Sequence, residues 1–208
     1  MRARLASRAA DYGVTIEGRV TIDMKKVVAR KNVVSNTAQK NILACVDAGL
    51  HRYARSCAFY FTKRNEVDGN RVTADKIFIN VGGRALVPPI AGVDPIDFLT
   101  NETIVNVESV PPHLLILGGS YMGLEFAQMF RRFGSKVTVV EAAPRLLPRE
   151  DDDMSDAIRD ILEREGITIH LATKCTGLAG RGAAIVAQLD APTGTVAGRA
   201  KFDQNLPS

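Results

Sequence analysis

Residues Leu114 to Glu141 read LLILGGSYMGLEFAQMFRRFGSKVTVVE. The run Leu114-Leu115-Ile116-Leu117 is apolar without alternation, the pattern of a parallel strand buried on both faces. Gly118, Gly119 and Gly123 then punctuate a turn that opens into a helix. Met122, Phe126, Met129, Phe130 and Phe133 recur at helical spacing as one apolar stripe, with Gln128, Arg131 and Arg132 outside it. Gly134 stands where a helix C-terminus takes a left-handed residue. Val137-Thr138-Val139-Val140 is the second strand, and Glu141 stands at its carboxyl end. The spacing predicts a βαβ unit, and with it an α/β fold.

Such a unit points to dinucleotide chemistry. A pyrophosphate needs bare backbone N–H groups at a helix N-terminus, where side chains would hold it off. An acid ending the second strand accepts hydrogen bonds from the adenine-ribose hydroxyls and repels a 2′-phosphate. The G-x-G-x-x-G positions fall on Gly118, Ser120 and Gly123, so a serine takes the middle one; it is small and has a hydroxyl to donate. The competing reading is an ordinary α/β crossover with a glycine turn. Strand, helix, second strand and acid in register favour a dinucleotide site at Gly118, Gly119, Ser120, Gly123 and Glu141.

The same residues carry a family resemblance. GGSYMGLEFAQMFRRFGSKVTVVE, Gly118 to Glu141, resembles the NAD(P)-domain core of the pyridine nucleotide–disulfide oxidoreductases. These flavoproteins include dihydrolipoamide dehydrogenase, glutathione reductase and mercuric reductase, and the mercuric-reductase-like branch is the most similar. The likeness runs from about Ala9 to about Cys175. Within it, INVGGR (Ile79–Arg84) resembles the family segment A-T-G-x-x-P that ends against the flavin, with Val81 in place of the threonine. Val87-Pro88-Pro89-Ile90-Ala91-Gly92 resembles the P-x-I-P-G crossover.

The resemblance implies a three-layer, Rossmann-like, FAD/NAD(P)-binding α/β fold with a partial second domain. It assigns residues 1–103 to the second half of an FAD-binding domain, 104–190 to part of an NAD(P)-binding domain, and 191–208 to an irregular tail. It implies NAD (or NADP) and FAD as cofactors, Val81 and Gly82 beside the flavin, and a homodimer in the intact family. Tyr121 matches the tyrosine that covers the nicotinamide pocket; the alternative is simple packing. Glu125 matches the acid that pairs with a lysine beside the flavin N5; the alternative is a surface glutamate. Arg145 and Arg149 could greet a 2′-phosphate, but Glu141 favours NAD over NADP.

Along the rest of the chain, Thr21 or Asp23 caps a long helix from Met24 to Ala48. Cys57–Phe61 is a strand, Asp68-Gly69 a hairpin-type turn into Arg71–Thr73, and Lys76–Asn80 another strand. Pro111-Pro112 marks a boundary. After Glu141, Pro144 and Pro148 stiffen a loop, and Glu150 to Asp153 open a helix that Gly166 ends. Ile167–Leu171 and Ala184–Leu189 are further strands.

The composition is that of an ordinary globular protein: 208 residues, 46% hydrophobic and 24% charged, with a net charge of +4. The basic excess crowds the first forty residues without interleaved aromatics, as solvated helix faces do, so no nucleic-acid partner is expected. No run approaches membrane-spanning length. Cys45, Cys57 and Cys175 form no CxxC or CxxxxC pair, and no Cys/His cluster suggests a metal. Reduced thiols fit an intracellular protein, with the cytoplasm as the default location. His51, His113 and His170 lie scattered, without the neighbours of a catalytic pair.

The family mechanism passes hydride from NAD(P)H to FAD and then to a cysteine pair, with a histidine–glutamate pair handling protons. The segments that would carry those groups match nothing in this sequence, so the resemblance implies an internal piece of a longer enzyme. Two readings stand: an FAD-dependent NAD(P)H oxidoreductase retaining mainly the NAD adenine half-site, or a catalytically incompetent nucleotide-binding or interaction fragment. A basic helical nucleic-acid binder is the third and weakest.

Overall fold

The computed structural model describes residues 2–18, 20–49, 57–60, 64–67, 69–93, 98–181, 184–191 and 200–202. Helix α1 (Arg2–Ser7) and a short 3₁₀ turn (Ala9–Tyr12) end at left-handed Gly13. Helix α2 (Met24–Asp47) begins as its sequence dictates, with Asp23 Oδ1 accepting the Lys26 N–H at 3.1 Å. Strands β1 (Cys57–Tyr60), β2 (Arg64–Val67) and β3 (Asn70–Val72) form an antiparallel meander. Then come β4 (His113–Leu117), α3 (Tyr121–Phe133), β5 (Lys136–Val140), α4 (Asp152–Arg164) and β6 (Thr168–His170). Strands β7 (Lys174–Arg181), β8 (Ala184–Asp190) and β9 (Ala200–Phe202) close the order as a second antiparallel sheet.

By internal packing the chain forms two units, Met1–Val28 with Val87–Ser208, and Ala29–Leu86. The larger one is α/β. Strands β4, β5 and β6 run parallel in that order, with Leu114 opposite Val137 and Thr138 opposite Thr168. Strand β5 is central, and Val137 and Val139 are fully buried on it. Alternate residues of the sheet serve different cores. Leu114, Val137 and Val139 pack with Leu124, Ala127 and Phe130 of α3 and Leu162 of α4. Leu115 and Val140 pack with Ile185, Ala187 and Leu189 of β8. Three layers result: helices, the parallel sheet and the antiparallel sheet.

The buried line of α3 is Leu124, Ala127 and Phe130, with Phe126, Met129 and Phe133 packed partly against the same core. Met122, placed in the apolar stripe by its spacing, is exposed instead. The stripe that faces the core is centred on Leu124, Ala127 and Phe130, and Met122 in the first turn falls outside it. Gly134 takes φ 112 and caps α3 by donating to the Phe130 and Arg131 carbonyls. Helices α3 and α4 are tied at that end through Glu165. Its carboxylate accepts from Arg132 Nε at 2.8 Å and Nη2 at 2.7 Å, and it pairs with Arg4 of α1 at 3.1 Å. The Arg132 hydrogen bonds hold the Glu165 carboxyl below the usual glutamate range, against the opposing pull of burial.

The smaller unit departs from expectation at one segment. Lys76–Asn80 forms no strand: residues 77 to 90 have no regular structure, and Phe78, Ile79 and Val81 are exposed. An apolar strand is stable only when its amides meet a neighbouring strand, and among the described residues none pairs with this one. Two strands had little signal in the sequence, β2 and β7. The turn at Gly69 joins β2 to β3, and β9 pairs with β8 inside the stretch where no structure was anticipated. No helix among the described residues is long and apolar enough to cross a membrane.

Candidate functional site

At the carboxyl end of β4 the chain turns into α3. The Gly118 N–H extends the sheet by donating to the Val140 carbonyl at 2.8 Å, and Gly118 then takes φ 108, a conformation that suits glycine alone. Ser120 is extended (φ −82) and caps α3 with no side-chain hydrogen bond. The N–H groups of Tyr121 and Met122 in the first turn therefore have neither an intrahelical acceptor nor a side-chain cap. These are the donors a phosphate needs at the positive end of a helix.

Two of the glycines matter because they lack a side chain. A Cβ on Gly119 would lie 2.6 Å from Leu146 Cδ2 and 3.2 Å from Glu141 Oε2. A Cβ on Gly123 would lie 2.6 Å from the Gly118 carbonyl oxygen and 3.3 Å from Ile116 Cγ2, so glycine lets α3 press onto β4. The fingerprint roles thus divide among Gly118, Gly119 and Gly123. Ser120 sits at an exposed position with an ordinary φ, where nothing in the backbone demands glycine.

Glu141 leaves β5 and returns its carboxylate to this turn. Oε2 accepts the Gly119 N–H at 2.5 Å and Oε1 accepts the Ala143 N–H at 2.7 Å. Its backbone is pinned as well, since Glu141 N–H donates to His170 and the Thr173 N–H donates to Glu141. The acid is half-buried beside the helix N-terminus, oriented by amides on both oxygens and with lone pairs left over.

The other anticipated residues are placed as follows. Tyr121 and Glu125 stand one helical turn apart on α3, both exposed. Arg145 is paired with Asp152 and donates to the Pro148 carbonyl, so it is engaged rather than held out for a phosphate. Val81 and Gly82 belong to the smaller unit, in the segment without regular structure. Val81 is exposed, and a Cβ at Gly82 or Gly83 would meet nothing within 4 Å. The turn offers the backbone donors and the carboxylate that a dinucleotide would need. Burial pushes the Cys175 thiol up, which makes it a poor nucleophile. Among the described residues no group of His, Cys, Asp or Glu is arranged to hold a metal.

A model of the pyridine nucleotide-disulphide oxidoreductase family matches residues 7–200. The chain belongs to that family. It is 48% identical over 106 residues to the probable pyridine nucleotide-disulfide oxidoreductase RclA of Escherichia coli, across 50% of this chain and 24% of that protein. It is 40% identical over 129 residues to mercuric reductase of Streptomyces lividans, across 61% of this chain and 27% of the reductase. Among solved structures, the Cu(II) complex of the HOCl-induced flavoprotein disulfide reductase RclA from Escherichia coli superposes with a TM-score of 0.74 at 32% identity. That match covers 88% of this chain and 41% of the solved one. The pyridine nucleotide-disulphide oxidoreductase chain described here thus spans about a quarter of the length of these two curated relatives.

Sequence reasoning did not single out the loop residues that brace the turn. Leu147 donates its N–H to the Gly119 carbonyl at 3.0 Å, and Ser155 Oγ donates to the Leu146 carbonyl. Only the proline spacing of 144 and 148 hinted that this loop is stiff.

Proposed function

We propose that this chain seats the adenine half of a nicotinamide dinucleotide, as the retained half-site of a flavin-dependent NAD(P)H oxidoreductase. The observation that carries the reading is the Glu141 carboxylate, 2.5 Å from the Gly119 N–H at the uncapped N-terminus of α3. The pyrophosphate would lie against the amides of Tyr121 and Met122, and the adenosine ribose would donate its hydroxyls to Glu141. With Arg145 engaged by Asp152, a 2′-phosphate would be repelled by the Glu141 carboxylate with only Arg149 of the two arginines left to offset it, which favours NAD over NADP. Tyr121 and Glu125 extend from the turn along α3 and are the residues proposed to face the nicotinamide end.

In an intact enzyme of this family the half-site would serve hydride transfer from NAD(P)H to FAD and on to a disulfide, metal ion or small acceptor. On this reading residues 104–190 are the dinucleotide-binding part and 1–103 belong to the flavin-binding part. A second reading, binding without turnover, is favoured by the open backbone at Val81 and Gly82 and by the spacing of the three cysteines. One preparation separates the two. A yellow chain that bleaches when NADH is added anaerobically supports turnover. A colourless chain that raises NADH fluorescence on binding supports the half-site alone. A chain that leaves NADH fluorescence unchanged sinks both.

A further inference from the structure

The turn that carries the proposed site is held from outside by a single peptide plane. The peptide joining Leu146 to Leu147 points its N–H at the Gly119 carbonyl, 3.0 Å away, and its C=O at the Ser155 hydroxyl on α4. Ser155 is 2% exposed. Leu147 is left-handed, with φ 47. Leucine adopts that conformation only where its surroundings over-determine it, and such strain gathers at functional sites.

The strain has an identifiable release. Turning the Leu146–Leu147 peptide over by about 180° would return Leu147 to an ordinary negative φ. The same flip would swing the N–H away from Gly119 and aim a carbonyl at it. Ser155 opposes the flip, because its donor satisfies the carbonyl only in the observed orientation. The only other left-handed non-glycine among the described residues is Ala172, with φ 49. It too donates into the site, to the carbonyl of Ala143, whose N–H holds Glu141. Both strained backbones therefore flank the acid and its glycine.

We infer that Ser155 is a positioning residue for dinucleotide binding: by locking the Leu146–Leu147 peptide it fixes Gly119, and through the Gly119 N–H the Glu141 carboxylate. This rests on the reading of the turn as a dinucleotide site. The alternative role, mere satisfaction of a buried carbonyl, has a built-in control. Ser135, fully buried at the other end of the same sheet, donates to the Pro111 carbonyl at 2.6 Å and touches nothing of the turn.

The test titrates NADH into the full chain as wild type, Ser155→Ala and Ser135→Ala, with thermal denaturation alongside. Both variants should lose comparable thermal stability. Ser155→Ala should bind NADH roughly three- to tenfold more weakly, the equivalent of one hydrogen bond, and Ser135→Ala as the wild type does. Amide exchange at Leu147 should quicken in Ser155→Ala alone. Equal affinities in the two variants would overturn the inference while leaving the site intact. A wild type that binds no NADH would take down the site and the inference together. Should Ser155→Ala not fold, Ser155→Cys, a slightly larger near-isostere with a weaker donor, is judged by the same comparison.

Discussion

Gly123→Ala tests how α3 is seated on β4. The substitution adds one methyl group, and its Cβ would fall 2.6 Å from the Gly118 carbonyl oxygen and 3.3 Å from Ile116 Cγ2, where ordinary contact begins at 3.4 Å. The nearer obstacle is backbone that is already tied into the glycine turn, so it cannot swing aside as a side-chain end can. Gly123 has no left-handed φ, and the penalty is therefore contact alone. Overpacking against fixed backbone falls in the upper part of the usual range, about 2–3 kcal/mol. Alanine returns about 1 kcal/mol through its better helix propensity. The net is about 1–2 kcal/mol, which for a chain of this size lowers Tm by about 2–8 °C. Differential scanning calorimetry reads the shift, and the same displacement of α3 should weaken NADH binding. A Tm equal to or above the wild type would refute the packing argument, because propensity would then be the only effect present.

Glu141→Gln should weaken NADH binding by about tenfold and narrow the preference over NADPH. A carboxamide can accept from only one of the Gly119 and Ala143 amides and turns its own NH₂ toward the other, at a cost of about 1–3 kcal/mol. Paired titrations with the two cofactors check this; an unchanged ratio contradicts it. Glu165, whose carboxyl is held low by the Arg132 hydrogen bonds, gives stability that is full above the usual glutamate value of about 4.3 and lost as pH falls through its lower folded value. Glu165→Gln should therefore flatten the acid limb of the Tm–pH curve, and a limb identical to the wild type would count against the ion-pair account.

What the sequence made legible was contiguous. The β4–α3–β5 unit, the left-handed cap at Gly134 and the acid at 141 each depend on neighbours within a turn or a strand, so spacing alone reveals them. Strand β7 was obscured because Gly177 and Gly180 interrupt it and its register shifts between Cys175 and Gly177. The apolar segment Lys76–Asn80 has the composition of a strand, yet a strand is a pairing, and no string of residues declares its partner. The braces at Leu146, Leu147 and Ser155 were invisible for a related reason: they join three elements through backbone groups that carry no residue signature. The resemblance pointed to the glycine turn at once, but the strand expected to lead into Val81 and Gly82 is not formed here.

The open segment in the smaller unit bears on how the molecule behaves in a tube. Phe78 and Leu86 are 88% and 92% exposed, and Ile79 and Val81 lie bare beside them. Apolar side chains presented this way limit the concentration a preparation tolerates, through contacts between copies that owe nothing to unfolding. Robustness to heat and solubility are therefore separate properties of this chain. Reinforcing the βαβ unit would raise the first and leave the second where it stands, whereas a charge at position 78 or 86 would do the reverse.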